Sequence, residues 1–152
     1  MTAIAAVPSA VHIGRDDLPF ADLGEGNLLK VLLVDEPNGC YVVETVFQAG
    51  FVVPTHRHSS PVYGYTTTGA WKYQEYDFVN RAGSFLFEPA GSVHTLECLE
   101  DDTRVWFQMN GVNMNLDDEG NVVSVTDGAG TLSYYRALCR KQGLPIPEVA
   151  II

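Results

Sequence analysis

"GSFLFEPAGSVH", residues 83–94, sets two glycines, a proline and a histidine at fixed intervals, G-x5-P-x-G-x2-H. Gly83 and Gly91 permit sharp corners where φ must be positive or the backbone must pass closely. Pro89 fixes φ and ends one strand before His94 begins the next. A corner of this kind carries His94 across to face another strand. A companion feature lies upstream: "GFVVPTHRH", residues 50–58, reads G-x5-H-x-H. On a strand, His56 and His58 project to one face while Thr55 and Arg57 point away. Two imidazoles on one face can grip one ion. Taken alone, the pair reads equally as two partly exposed imidazoles on an edge strand.

Around these motifs the chain is written in strands. Short runs of Val, Ile, Phe, Tyr, Trp and Thr recur at intervals of about ten residues with turn residues between them. "LLKVLLV" (28–34) leads through "DEPNG", whose Asn38-Gly39 is a hairpin signal, into "CYVVETVFQ" (40–48). "AWKYQEYDF" (70–78), "SFLFEP" (84–89), "VHTLECL" (93–99), "RVWFQMNGV" (104–112) and "NVVSVTD" (121–127) continue the series. Gly69 stands where a hairpin turn is expected. This spacing predicts an all-β sandwich or barrel. One helix is predicted over 131–143, with Leu132, Tyr135, Leu138 and Cys139 on one face, Thr131 or Ser133 as cap, and Gly143 with Pro145 as the stop.

The 152 residues fit one domain: an N-terminal arm over 1–27, a β-barrel over 28–127, the helix, and a tail over 144–152. "MTAIAAVPSAVHIG" (1–14) reads as a flexible arm or edge segment. It has no positive n-region and is too short to span a membrane. The apolar "PIPEVAII" predicts a tail lying against its own domain or a neighbouring subunit, and a homodimer is expected. Nineteen acidic against nine basic residues give a net charge of -10, the wrong sign for nucleic acid or an anionic membrane surface. Cys40, Cys98 and Cys139 are odd in number and widely spaced, which argues against a disulfide framework and suits a reducing cytoplasm.

The two motifs together resemble those of the cupin superfamily, small double-stranded β-helix (jelly-roll) barrels that hold a metal inside. The resemblance implies that His56, His58 and His94 converge on a divalent ion. It also exposes departures. The first cupin motif usually supplies a Glu four or five residues after its second His, and Val62 and Tyr63 stand there instead. The second often ends on Asn four residues after its His, where this chain has Cys98, which is either a fourth ligand or a buried core thiol.

Over residues 28–143 the sequence looks similar to the cupins that include 2,4'-dihydroxyacetophenone dioxygenase and, more loosely, the acetylacetone-cleaving dioxygenases. That resemblance implies Fe(II) held by three histidines without the usual Glu, with Zn(II) or Ni(II) as other occupants. The implied reaction is C–C cleavage of a β-diketone or aryl hydroxyketone, with O2 as co-substrate. Glu75 falls near an acidic position of the aryl-ketone enzymes, and the implied role is a base for enolisation or a group that orders the substrate. Alternation places Trp71, Tyr73 and Glu75 on one face; if that face is outside, Glu75 is simply solvated. Tyr63, Tyr65, Trp71, Phe87, Trp106 and Gln108 are pocket candidates that are also ordinary jelly-roll core residues. His12, Asn110 and Asn113 carry no assigned role beyond surface, turn or ladder. Two other functions fit a three-His site: a zinc-dependent isomerase, and a non-catalytic metal sensor resembling the cupin part of ChrR-type anti-sigma factors.

Overall fold

The computed structural model describes residues 8–152. Residues 1–7, the first part of the predicted N-terminal arm over 1–27, lie outside the described residues. Among those described there are thirteen strands and one helix. They are β1 (Ala21–Gly24), β2 (Asn27–Asp35), β3 (Cys40–Phe47), β4 (Val52–His58), β5 (Val62–Thr68), β6 (Ala70–Tyr73), β7 (Asn80–Arg81), β8 (Phe85–Glu88), β9 (Val93–Cys98), β10 (Thr103–Asn110), β11 (Asn113–Leu116), β12 (Val122–Thr126), α1 (Gly128–Lys141) and β13 (Ala150–Ile151). Two sheets result. One runs β1-β2-β3-β10-β5-β8, with β13 added in parallel to β2; the other runs β12-β11-β4-β9-β6-β7. This is the expected jelly roll, a double-stranded β-helix with one C-terminal helix.

Inward-facing residues of both sheets, joined by the buried stripe of α1, form the core, with Val31, Val34, Trp71, Tyr73, Val105 and Tyr135 almost wholly out of water. Trp71 keeps its polar edge satisfied by donating Nε1–H to Thr66 Oγ1 at 2.9 Å. The Asn38-Gly39 signal turns the chain between β2 and β3, with Gly39 at φ +62° and its N–H bonded to the Glu36 carbonyl.

Several boundaries differ from those predicted, each for a local reason. The 70–78 run stops being a strand at Tyr73, because the chain turns there and Tyr76 N–H returns to the Tyr73 carbonyl. Residues 21–24 leave the arm to pair with β2. The helix starts at Gly128, three residues before the prediction. Asp127, not Thr131 or Ser133, is the cap, its carboxylate accepting from Gly130 N–H. Gly128 lets that start lie close against the sheet: a Cβ there would stand 3.2 Å from both Tyr41 and Val34 side chains, which would have to give way. Leu132, Tyr135 and Cys139 form the buried stripe of α1, with Leu138 packed beside it. The tail returns to its own domain: Val149 is buried and β13 pairs with β2. No helix of the described residues is long and apolar enough to cross a membrane.

Candidate metal centre

His56 and His58 occupy the last turn of pleat of β4, both buried and both facing the barrel interior. Their neighbours are fixed by register. His56 is the direct partner of His94 on β9, and Asn113 on β11 is the partner of His58. The corner between β8 and β9 is tied to this strand by Gly91 N–H, which donates to the His58 carbonyl at 2.8 Å, with Gly91 at φ +82°. The motif thus does what its spacing implies, bringing a histidine from a second strand to the first pair. The ring centroids lie 5.1 Å apart for His56 and His58 and 6.3 Å apart for His56 and His94.

A fourth group joins them that the sequence reading did not single out. Glu88, the last residue of β8, is buried, and His56, His58 and Glu88 each offer a ligand atom with all three within 4.8 Å of one another. Its Oε1 accepts the Tyr73 hydroxyl proton and lies 3.2 Å from His94 Nε2. The His94 ring stacks on Tyr73, centroids 4.3 Å apart. The missing carboxylate of the first motif is therefore replaced in space. Val62 stands where that Glu would be, and Glu88 is its cross-strand partner. The signal was present in "SFLFEP", where Glu88 shares the face of buried Leu86 while Phe85 and Phe87 alternate outward. A carboxylate at an inward position needs a partner, and that is what marks it.

The imidazoles are held in ligand form. His56 Nδ1 lies 2.8 Å from the Pro54 carbonyl, which can only accept, so Nδ1 carries the hydrogen and Nε2 keeps its lone pair. Ser92 Oγ spends its proton on the Pro89 carbonyl and accepts from His94 Nε2 at 2.8 Å. Burial, with the neighbouring imidazoles adding to it, pushes His58 and His94 down to about 4, and burial likewise lowers His56. Burial raises Glu88 to about 7, against the opposing hydrogen bond from Tyr73. The Nδ1 atoms of His58 and His94 and Glu88 Oε2 are buried without a hydrogen-bond partner. Buried polar atoms left bare are costly, and neutral imidazoles beside a carboxylate are the donor types a divalent first-row ion takes. The residues present fit a metal.

His56, His58 and Glu88 line a cavity of about 240 Å³ between the sheets. Leu29, Val43, Phe47, Leu96, Phe107 and Met109 give it mostly apolar walls, and Thr126 at the end of β12 and Thr131 in the first turns of α1 reach its lining.

The predicted pocket residues do not line it, and here the sequence reading is corrected. Tyr63, Tyr65, Phe87, Trp106 and Gln108 point out of the barrel, because Val62, Gly64 and Thr66 on β5, Leu86 and Glu88 on β8, and Val105 and Phe107 on β10 take the inner face. Trp71 faces inward but is sealed in the core away from the cavity. Glu75 falls in the turn after β6, exposed, and its carboxylate accepts from Thr95 N–H at 2.9 Å. Partial desolvation raises Glu75, and the hydrogen bonds at Thr95 outweigh it and hold the carboxyl below its ordinary range. Cys98 is a core thiol: Sγ lies 3.1 Å from the Glu100 carbonyl, and burial raises its pKa. His12 is exposed.

Comparison with known proteins agrees with this architecture. The family model described as the ChrR Cupin-like domain matches residues 8–113. A cupin-fold protein of unknown function from Ralstonia eutropha JMP134 superposes with a TM-score of 0.87 at 28% identity, over 98% of this chain and 96% of that one. An acetylacetone dioxygenase from Acinetobacter johnsonii gives 0.75 at 18% identity, over 91% and 97%. The anti-sigma factor ChrR of Rhodobacter sphaeroides, solved with SigE, gives 0.54 at 17% identity, over 64% and 52%. No curated protein matches the chain significantly. With the family model spanning both histidine motifs and the barrel around them, the chain belongs to the ChrR cupin-like domain family of the cupin superfamily.

Proposed function

We propose that this protein is a mononuclear, iron-dependent dioxygenase that cleaves a C–C bond of a β-diketone or aryl hydroxyketone. His56, His58 and His94 are the imidazole donors and Glu88 the carboxylate beside them. The observation that carries this reading is the buried cluster of two imidazoles and a carboxylate, with ligand atoms within 4.8 Å, opening on an apolar cavity. Two histidines and one carboxylate with open positions are the donor set of non-haem Fe(II) oxygenases. A divalent iron bound there supplies Lewis acidity toward a chelating ketone and redox access to O2. The protein's own part is to bind, orient and exclude water. Leu29, Val43 and Phe107 receive the hydrocarbon part of the ketone. Glu88, its Oε1 held by the Tyr73 hydroxyl and its Oε2 buried without a hydrogen-bond partner, offers its carboxylate to the ion beside the imidazoles. Glu75, outside the cavity wall, acts on the histidines only through its field. Three free thiols suit a reducing cytoplasm.

The test is anaerobic loading with Fe(II), followed by O2 uptake against a panel of β-diketones and aryl hydroxyketones. Uptake of one O2 per ketone consumed is expected. A fully iron-loaded protein that consumes no O2 with any of them sinks the reading. The match to the ChrR Cupin-like domain favours a second reading, a metal-binding sensor. Zinc retained through dialysis against a chelator, with no turnover, would select it, whereas enolate turnover without O2 uptake would select an isomerase.

A further inference from the structure

The outer face of the seven-stranded sheet is divided in two. Over β2 and β3 the chain covers itself. Phe20 lies 4.2 Å from Lys30 Nζ, Lys30 donates to the Arg15 carbonyl, and Arg104 pairs with Glu44 at 3.2 Å. Lys30 and Glu44 are consequently buried although they point away from the barrel. Beyond Arg104, which Phe20 covers, no described residue makes such a contact over β10, β5 and β8, and Val11–Arg15 only flank a cleft at the Trp106, Thr67 and Thr68 edge. Trp106, Tyr65 and Phe85 form one row across the three strands, and Gln108, Tyr63 and Phe87 form the next. The five aromatics are 39–67% exposed. Tyr63 lies 5.5 Å from Phe87 and 6.4 Å from Phe85, centroid to centroid, and strand register sets Tyr65 and Trp106 beside them.

We propose that this bare aromatic face is the docking surface for a second copy of the chain, the two β10-β5-β8 faces packing together about a two-fold axis. Charge selects the face. Each copy carries -10, so like copies repel over most of their surface, and these six side chains are all uncharged. The area is of the right order. Five aromatics of roughly 150–250 Å² each, about half exposed, offer on the order of 500 Å² per copy. That is most of the roughly 800 Å² per partner in a stable interface, Gln108 within the patch adds to it, and exposed Thr67 and Thr68 border it. Aromatic enrichment with charge excluded is also the composition of an interface centre. A nearly flat patch of two parallel rows needs only itself as complement, as a two-fold contact requires. Finally, β8 is the terminal strand of its sheet, so a second copy reaches the face from that side without meeting the covered half.

Sedimentation equilibrium of the whole chain should give twice the chain mass. Phe85→Glu with Phe87→Glu should give the single-chain mass, with metal content and thermal unfolding close to those of the parent, because both side chains point to solvent. Val123→Glu with Val125→Glu tests a second exposed apolar stretch, on the edge strand β12, and should leave the dimer intact. Should the double Phe variant fail to fold, the parent still decides. Trp71 is fully buried, so acrylamide quenching reads Trp106, which must become protected as concentration rises. A single-chain mass for the parent, a dimer unaffected by the Phe substitutions, dissociation by the β12 substitutions alone, or Trp106 equally quenched at all concentrations would each overturn the proposal.

Discussion

Val62 on β5 and Glu88 on β8 are direct cross-strand partners on the inner face of the barrel. Partners across an antiparallel pair hold their Cβ atoms about 4.5–5.5 Å apart. A carboxylate can therefore be offered to the same histidines from either strand. Glu88→Val should weaken metal binding by about 10–100-fold, the usual cost of losing a group beside the ligands. Adding Val62→Glu to that variant should restore most of the affinity. Competition against a chromophoric chelator measures both, and a double variant no better than Glu88→Val would show that the carboxylate is not part of the binding set.

Replacing His56, His58 or His94 by Ala should each abolish stoichiometric metal binding, read as metal per chain after gel filtration. His94 is the discriminating position, because its Nε2 faces Ser92 and Glu88. Full occupancy in His94→Ala with loss in the other two would reduce the donor set to His56, His58 and Glu88.

The sequence made the barrel and the three histidines legible because glycine, proline and histidine at fixed spacing state backbone requirements directly. The phase of β5 was not legible. Tyr63 and Tyr65 are bulkier than Val62, Gly64 and Thr66, so hydrophobicity alone turns the tyrosines inward. What reverses the phase is a tertiary contact: a Cβ on Gly64 would stand 3.3 Å from the Phe107 ring, so the ring occupies the space the glycine leaves. The pairing of β5 with β10 and β8 then carries Trp106, Gln108 and Phe87 outward with it. Glu75 leaves the face that alternation predicts for a simpler reason: β6 ends at Tyr73 and the chain turns there.

The buried site also sets how the metal-free protein responds to acid. His58 and His94 titrate near 4 in the folded state against about 6.5 when unfolded. Between those values the unfolded chain binds more protons, so both groups destabilise the fold as pH falls from about 6.5 toward 4. Glu88, near 7 folded against about 4.3 unfolded, has the opposite sign: the folded state holds its proton, and stability from this group grows as pH falls through the same window. Two histidines outweigh one carboxyl, so Tm of the metal-free protein should fall between pH 6.5 and 4.5. Glu88→Gln removes the compensating group and should steepen the fall. A shallower profile in that variant would contradict the assignment.

Gly69 and Gly83 both sit at positive φ, +79° and +88°, yet they should not be equally replaceable. At Gly83 an added Cβ meets nothing within 4 Å, so Gly83→Ala costs only the left-handed backbone penalty, about 1–2 kcal/mol. At Gly69 the Cβ would fall 2.1 Å from Thr103 Oγ1 and 2.6 Å from Thr103 Cα. The second contact is with main chain, which cannot rotate aside. Thr103 also accepts Ala70 N–H through Oγ1 at 3.0 Å, so relief has to move the start of β6 away from β10. β6 carries Tyr73, whose hydroxyl bonds Glu88. Gly69→Ala should therefore lower Tm well beyond Gly83→Ala and also weaken metal binding, while Gly83→Ala leaves the metal untouched. Thermal unfolding with metal titration of the two variants decides it, and equal losses in both would mean that the Thr103 contact places no demand on position 69.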